Sequence, residues 1–201
     1  MRVAIIGWGS LIRCPGNLTL GSKWHRGGPE IPIEFARASG GKRLTLIVYP
    51  KADPQPTFWA LSGCEKLEEA QNELRRREGI GRKHAGWIHA IDDTGEFRGH
   101  DRASPARVHI AEWLRARTDV DAAVWAGLGP EWPADVEDSF GVYSMQAAIS
   151  FLKDLQERGI HHGAELYVRH VPPEVDTPLR RAIEKELGWV REPLSSGLLE
   201  E

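Results

Sequence analysis

The stretch Val3-Ala4-Ile5-Ile6-Gly7-Trp8-Gly9-Ser10-Leu11-Ile12 decides how the rest of the chain is read. Val3 to Ile6 is a run of four apolar residues, the pattern of a strand covered on both faces. It runs straight into a turn of small residues. Glycines at 7 and 9 allow a sharp change of direction and a close approach of ligand to backbone. Ser10 adds a hydroxyl, and the amides around it no longer belong to a strand. Such a turn can cradle a carboxylate or another oxyanion. It can also be an ordinary strand-to-turn junction.

A dinucleotide loop is the competing functional reading, because Gly7-x-Gly9 follows a strand. That fingerprint needs a third small residue and a helix opening at the turn. Ile12 occupies the third position, and Pro15-Gly16 interrupts any helix within a turn. No acidic residue closes a clean second strand about 20 residues on, as the ribose contact requires. A hydrolase elbow fails for a related reason: Ile12 stands where Gly-x-Ser-x-Gly needs its second glycine after Ser10.

Composition narrows the class. The chain has 201 residues, 41% apolar and 27% charged, which suits one globular domain with a sizeable core. A net charge of -3 with no basic block argues against a nucleic-acid partner. The apolar run after Met1-Arg2 is too short for a secretory leader or a membrane span. Two cysteines, Cys14 and Cys64, make neither a disulfide framework nor a metal pattern, which suits a reducing cytoplasm. Cys14 has no evident activating partner. His161-His162 with Glu165 is a weak metal candidate, since adjacent histidines point to different faces. Eight tryptophans point chiefly to core packing; Trp125, Trp132 and Tyr143 are alternative pocket-lining candidates.

Along the chain, 13–30 reads as a long loop anchored by Trp24. Residues 31–37 and 44–49 read as a hairpin across Ser39–Lys42, with Pro32 at a sheet edge or a strand start. A proline-rich loop at 50–56 leads to a strand at 57–61. Ser62-Gly-Cys-Glu65 fits a capping box for a helix ended by Gly79. Leu67, Ala70, Gln71 and Leu74 form its apolar stripe, and one more turn reaches Glu78. Further strands are expected at 84–91 and 165–169, a strand or buried segment at 121–126, and helices at 110–117, from Ser144 to Gln156, and from Thr177-Pro178 to Leu187. Residues 127–140 read as loop and 191–201 as a loose tail. The expected architecture is α+β, a mostly antiparallel small β-barrel with a few packed helices. It forms a single domain over 1–190 with an extended region at 96–143.

Glu78 is the leading candidate for proton transfer. It lies on the buried stripe and at the C-terminal end of a helix, and both settings disfavour a bare negative charge. A carboxyl group so placed can take up and return a proton. The plainer alternative is a glutamate that pairs with an arginine or faces water.

Two motifs together resemble the gamma-glutamyl cyclotransferase-like family. Ile6-Gly7-Trp8-Gly9-Ser10-Leu11 is similar to its tyrosine-glycine-serine loop after the first strand. Trp59 and the helix ending Arg77-Glu78-Gly79-Ile80 resemble its second signature, with the strand Gly86 to Ile91 following. The resemblance covers roughly residues 3–91. It implies cyclisation of a small γ-glutamyl amine or peptide to 5-oxoproline, with Glu78 catalytic. Gly7, Trp8, Gly9, Ser10 and Leu11 would bind the substrate, without metal or organic cofactor. It implies no nucleic-acid or membrane partner, and a homodimer is one open oligomeric state. Trp8 replaces the family's loop tyrosine and brings no hydroxyl. A non-catalytic module binding a glutamate-like ligand is the alternative on the same fold.

Overall fold

The apolar run at the N-terminus forms strand β1, Val3–Gly7, buried over its whole length. It is the strand around which two separate cores assemble. Val3 and Ile5 belong to one cluster of buried side chains, and Ala4 and Ile6 to the other. Alternate residues of a strand point to opposite faces, so an unbroken apolar run is what a sheet covered on both sides requires. The computed structural model describes residues 1–40, 42–101, 103–131 and 144–200.

In chain order, β1 is followed by a one-turn helix α1 (Ser10–Arg13), strands β2 (Ile31–Ser39), β3 (Arg43–Val48), β4 (Pro54–Gln55) and β5 (Phe58–Leu61), and helix α2 (Leu67–Arg77). A 3-10 turn at Arg82–Trp87 leads to β6 (Ile88–Asp92) and β7 (Phe97–Arg98). Then come α3 (Pro105–Arg115), β8 (Ala122–Ala126), α4 (Met145–Glu157), α5 (His162–His170), α6 (Pro178–Leu187) and a final 3-10 turn at Ser196–Leu198. One sheet has the order β5-β1-β8-β6-β7, the other β3-β2-β4. Helix α2 packs on one face of the larger sheet, with Leu67, Ala70 and Leu74 against Val3, Ile5 and Val124. The smaller sheet and α3 to α6 share the other cluster.

The fold is therefore mixed α+β. The expected small barrel is not what the described strands make: they form two open sheets. The reason lies in β8. Its residues pair in parallel with β1 (Ala4 opposite Ala123) and antiparallel with β6 (Ala90 opposite Val124). A parallel neighbour must arrive by a long crossover rather than a hairpin. The region from 96 onward is thus no appendage, because it supplies an inner strand of the larger sheet.

Other expectations need correction. The capping box at Ser62 does not form; α2 starts after Lys66 with no side-chain cap. Ser62 is still held extended, its N–H donating to Val3 O at 2.8 Å, and its Oγ accepts from Cys64 N–H at 3.1 Å. Residues 84–87 are turn rather than strand, since sheet pairing begins only at Ile88 opposite Ala126. Residues 165–169 belong to helix α5, where Ala164, Val168 and Val171 are buried at helical spacing while Leu166 is exposed. The helix forecast at 110–117 begins earlier, at Pro105. A two-residue strand, β4, interrupts the loop at 50–56. The end of the chain is docked rather than loose: Trp24 N–H donates to Leu198 O at 3.0 Å and Glu200 N–H to Trp24 O at 2.8 Å. Trp132, Tyr143 and most of the expected 127–140 loop lie outside the described residues; Trp125 is core. No helix among the described residues is long and apolar enough to cross a membrane.

The forecast caps elsewhere match. Ser144 Oγ accepts from Ala147 N–H, and Thr177 Oγ1 from Arg180 N–H, with Pro178 in the first turn. Two buried charges set the angle of α5 and α6. Glu34 of β2 accepts from Thr177 Oγ1 and from Leu179 N–H at the start of α6. The Arg180 guanidinium, fully buried, donates to the carbonyls of Val168, Val171, Pro172 and Val175 between the two helices. Those bonds satisfy the carbonyls that the end of α5 would otherwise leave unpaired.

His89 of β6 gives the fold a pH dependence. Its ring is 1% exposed and lies where side chains of Gly99 and Gly127 would otherwise stand. Burial, and secondarily the nearby His100, pull it down from 6.5 to about 4, with Asp101 opposing. Native His89 thus stays neutral while the unfolded chain takes up a proton between those values. Stability is intact above pH 6.5 and is lost as pH falls towards about 4, by about 3 kcal/mol at most. Urea unfolding across that range should show His89→Gln with a flatter dependence than the wild type. Parallel curves for the two proteins would refute the assignment.

Candidate functional site

Helix α2 ends in a hydrogen-bonded reversal that aims its last side chains. Ile80 N–H donates to Arg75 O at 3.0 Å and Gly79 N–H to Arg76 O at 3.1 Å. These are the paired bonds of a Schellman end, which needs a left-handed residue just beyond the cap. Gly79 supplies it at φ +67. Glu78 is the cap residue, one turn past the fully buried Leu74. Its side chain is 19% exposed and points into a cavity of about 1010 Å³.

Gly7, Trp8, Gly9, Ser10 and Leu11 line the same cavity. The structure thus brings together every residue the sequence singled out for the site. Beyond Gly9 the chain enters α1, whose first amides have no acceptor within the helix. The internal bonds there are Ile12 N–H to Gly9 O at 3.3 Å and Cys14 N–H to Ser10 O at 2.9 Å. Neither loop glycine has positive φ. Both positions are tight: a Cβ on Gly7 would lie 3.1 Å from the Trp24 ring, and one on Gly9 2.9 Å from the Tyr167 hydroxyl.

Arg77 joins the two halves. Its Nη1 donates to Glu78 Oε1 at 2.7 Å and its Nη2 to Ser10 Oγ at 3.2 Å. Nε and Nη2 also donate to Cys14 O, at 3.2 and 2.8 Å. Arg77 follows Arg75 and Arg76 in the last turn of α2. Only 12% of its side chain is exposed, because adjacent residues at a helix end point to different sides and Arg77 reaches across to α1. The plainer alternative for Glu78, pairing with an arginine, is therefore also present.

Tyr167 and the β2–β3 hairpin complete the wall. Arg37, Arg43, Thr45 and Leu46 face Glu78 and the turn across the cavity. Arg37 is engaged by Glu131 and by Gly129 O. Tyr167 went unread because its segment was assigned to a strand; the Ala164–Val168–Val171 spacing is the signal that places it on a helix. His161, at the other end of that helix, stacks on Trp189 and stands 3.8 Å from Glu165, while His162 is exposed. Among the described residues no group of three or more His, Cys, Asp or Glu is placed to hold a metal ion.

No protein-family model matches the chain, and neither does any curated protein. A solved structure of a gamma glutamyl cyclotransferase specific to glutathione, from yeast, is similar at 14% identity and a TM-score of 0.33, covering 94% of this chain and 98% of that one. An overlap of that kind assigns neither fold nor chemistry.

Removing the Arg77 clamp should loosen the site. Arg77→Gln loses charge-assisted bonds worth about 1.5–3 kcal/mol in a half-buried setting. Denaturant unfolding at neutral pH should show a loss of that order, and Arg76→Gln, its exposed neighbour, almost none. Equal effects from the two variants would contradict the clamp.

Proposed function

We propose that this chain is a gamma-glutamyl cyclotransferase-like enzyme that converts a small γ-glutamyl amine or peptide to 5-oxoproline and releases the amine. The observation that carries the reading is that Glu78 and the Gly7–Leu11 turn share one cavity. The substrate's α-amino nitrogen attacks its own γ-carbonyl carbon. One C–N bond forms, the C–N bond to the leaving amine breaks, and nothing is oxidised or reduced. Glu78 accepts the proton that the α-ammonium gives up and returns it to the departing nitrogen. Oε1 is held by Arg77, and no hydrogen bond to Oε2 occurs among the described residues, so that oxygen is free for the exchange. The amides at the start of α1 hold the glutamyl carboxylate or the developing oxyanion.

The chemistry asks for no more than this. The nucleophile and the carbonyl belong to one molecule, so orientation supplies much of the acceleration. A proton shuttle and a cradle suffice without metal or organic cofactor. On this reading the fold is an opened variant of that family's, acting on a small molecule in the cytoplasm.

The ion pair between Arg77 and Glu78 favours a second reading, a non-catalytic module that binds a glutamate-like ligand in the same cavity. Calorimetry with glutamate and 5-oxoproline separates the two: binding without turnover supports the module.

The decisive variant is Glu78→Gln, which keeps size and removes the exchangeable proton. Release of 5-oxoproline from a panel of γ-glutamyl amines and peptides should fall by about a hundredfold or more, with circular dichroism unchanged and melting lowered no more than in Arg77→Gln. Full turnover in that variant ends the assignment.

A further inference from the structure

Trp8 fills the loop's ring position yet offers the cavity no donor. An indole has one, its Nε1–H. Here it points at Leu46 O, 3.4 Å away, in a buried setting. The N–H of the same Leu46 donates to a second aromatic side chain, the Tyr167 hydroxyl, at 3.2 Å. Two rings from distant parts of the chain thus use both polar groups of one β3 residue.

Several contacts fix Tyr167. Its ring meets Phe35 edge-on at 6.2 Å, and the Arg43 guanidinium sits 5.5 Å above it. The hydroxyl presses on Gly9, where a Cβ would come within 2.9 Å of it. Gly9 thus leaves room for this hydroxyl. The oxygen accepts from Leu46, and among the described residues its own proton is given to no acceptor. Tyr167 and the 8–11 turn line the same cavity as Glu78. Burial first, and then the charge of Glu78, push the phenol up to about 12, against the Leu46 bond, Arg43 and Arg77. It therefore keeps its proton across the working range and acts as a neutral donor.

We propose that the Tyr167 hydroxyl touches the substrate, donating to the γ-carbonyl oxygen of the glutamyl group as negative charge develops there. The inference rests on the cyclisation reading. As the α-amine nitrogen adds to the carbonyl carbon, the C=O π pair moves onto oxygen, where Tyr167 and the turn's amides receive it. When the pair returns and the leaving amine departs, the amine takes its proton from Glu78. Tyr167 keeps its own throughout. Neutral donors fit this role, because the carbonyl carries charge only on the way through the reaction.

The test measures 5-oxoproline release by wild type, Tyr167→Phe, Gly9→Ala and Glu78→Gln on the same γ-glutamyl panel. Tyr167→Phe should lower kcat about ten- to a hundredfold and leave KM within about twofold, since the amides of the turn remain. Its kcat/KM pH profile should keep the wild-type acid limb. Gly9→Ala, which displaces the hydroxyl, should lower kcat in the same direction, and the double variant should add little. A purely structural role would lower the melting temperature while kcat stays within twofold of wild type, and that result overturns the inference. If Glu78→Gln is inactive and Tyr167→Phe behaves as wild type, the hydroxyl assignment alone is wrong. If Glu78→Gln stays active, or wild type releases no 5-oxoproline from any substrate, the cyclisation reading falls and takes this inference with it.

Discussion

Arg77 is the side chain through which the end of α2 and the start of α1 are fastened together. Its planar fork has five N–H donors, and four short bonds use it: two to Cys14 O, one to Ser10 Oγ and one to Glu78. A lysine has three donors around one point and could not meet a carbonyl, a hydroxyl and a carboxylate in three directions at once. Being half-buried, these bonds compete with little water, so they hold better than an exposed ion pair does. The distance across the cavity between the carboxylate and the turn is thereby set by covalent geometry plus one guanidinium.

The brace works because both of its ends are anchored in a doubly covered sheet. β1 alternates its side chains between two cores, and β8 does the same, with Ala122 and Val124 on one side and Ala123 and Trp125 on the other. Helix α2 closes one face, so its C-terminus lies over the carboxyl end of β1, where the small-residue turn begins. On the opposite face, Glu34 and Arg180 fix α6 against β2 and the end of α5. Both charged groups are deeply buried, and each is repaid by several hydrogen bonds rather than by a partner of opposite charge. The cavity is the gap where the turn, α2, the β2–β3 hairpin and α5 meet.

What could be read from the sequence follows from how local each determinant is. Val3 to Ile6, the Gly79 stop, the Ser144 and Thr177 caps and the stripe Leu67–Ala70–Leu74 are decided by neighbours within a turn or two. Each stands where the pattern put it. Glu78 was visible for the same reason, since helical spacing carries the stripe to it. The misreadings are cases where a distant partner decides. Ser62 looks like a cap, but the sheet keeps it extended. Glu165 to Arg169 alternates well enough for a strand, yet Ala164, Val168 and Val171 are drawn into the core as a helix. The barrel fails because β8 inserts in parallel beside β1, a pairing across more than a hundred residues that no local pattern announces. Arg77 and Tyr167 stayed hidden because their partners, Cys14 and Leu46, are likewise far away in sequence.

The glycines of the turn show how distant parts of the chain shape the site. Both looked like conformational necessities, yet neither has positive φ. Gly7 makes room for Trp24, whose backbone is paired with Leu198 and Glu200 at the other end of the chain. Gly9 makes room for Tyr167, held by β3 and by the helix that Arg180 caps. The turn is therefore pressed from one side by an indole and from the other by a phenol, each fixed by its own long-range bonds. A loop confined in this way has little further freedom to lose, so its amides are held in one arrangement. That is the condition under which backbone donors can stabilise a charge that exists only briefly. The same confinement holds the turn's shape around Trp8. The ring at position 8 packs and bonds to Leu46, while the Tyr167 hydroxyl beside Gly9 comes from a helix more than 150 residues further along.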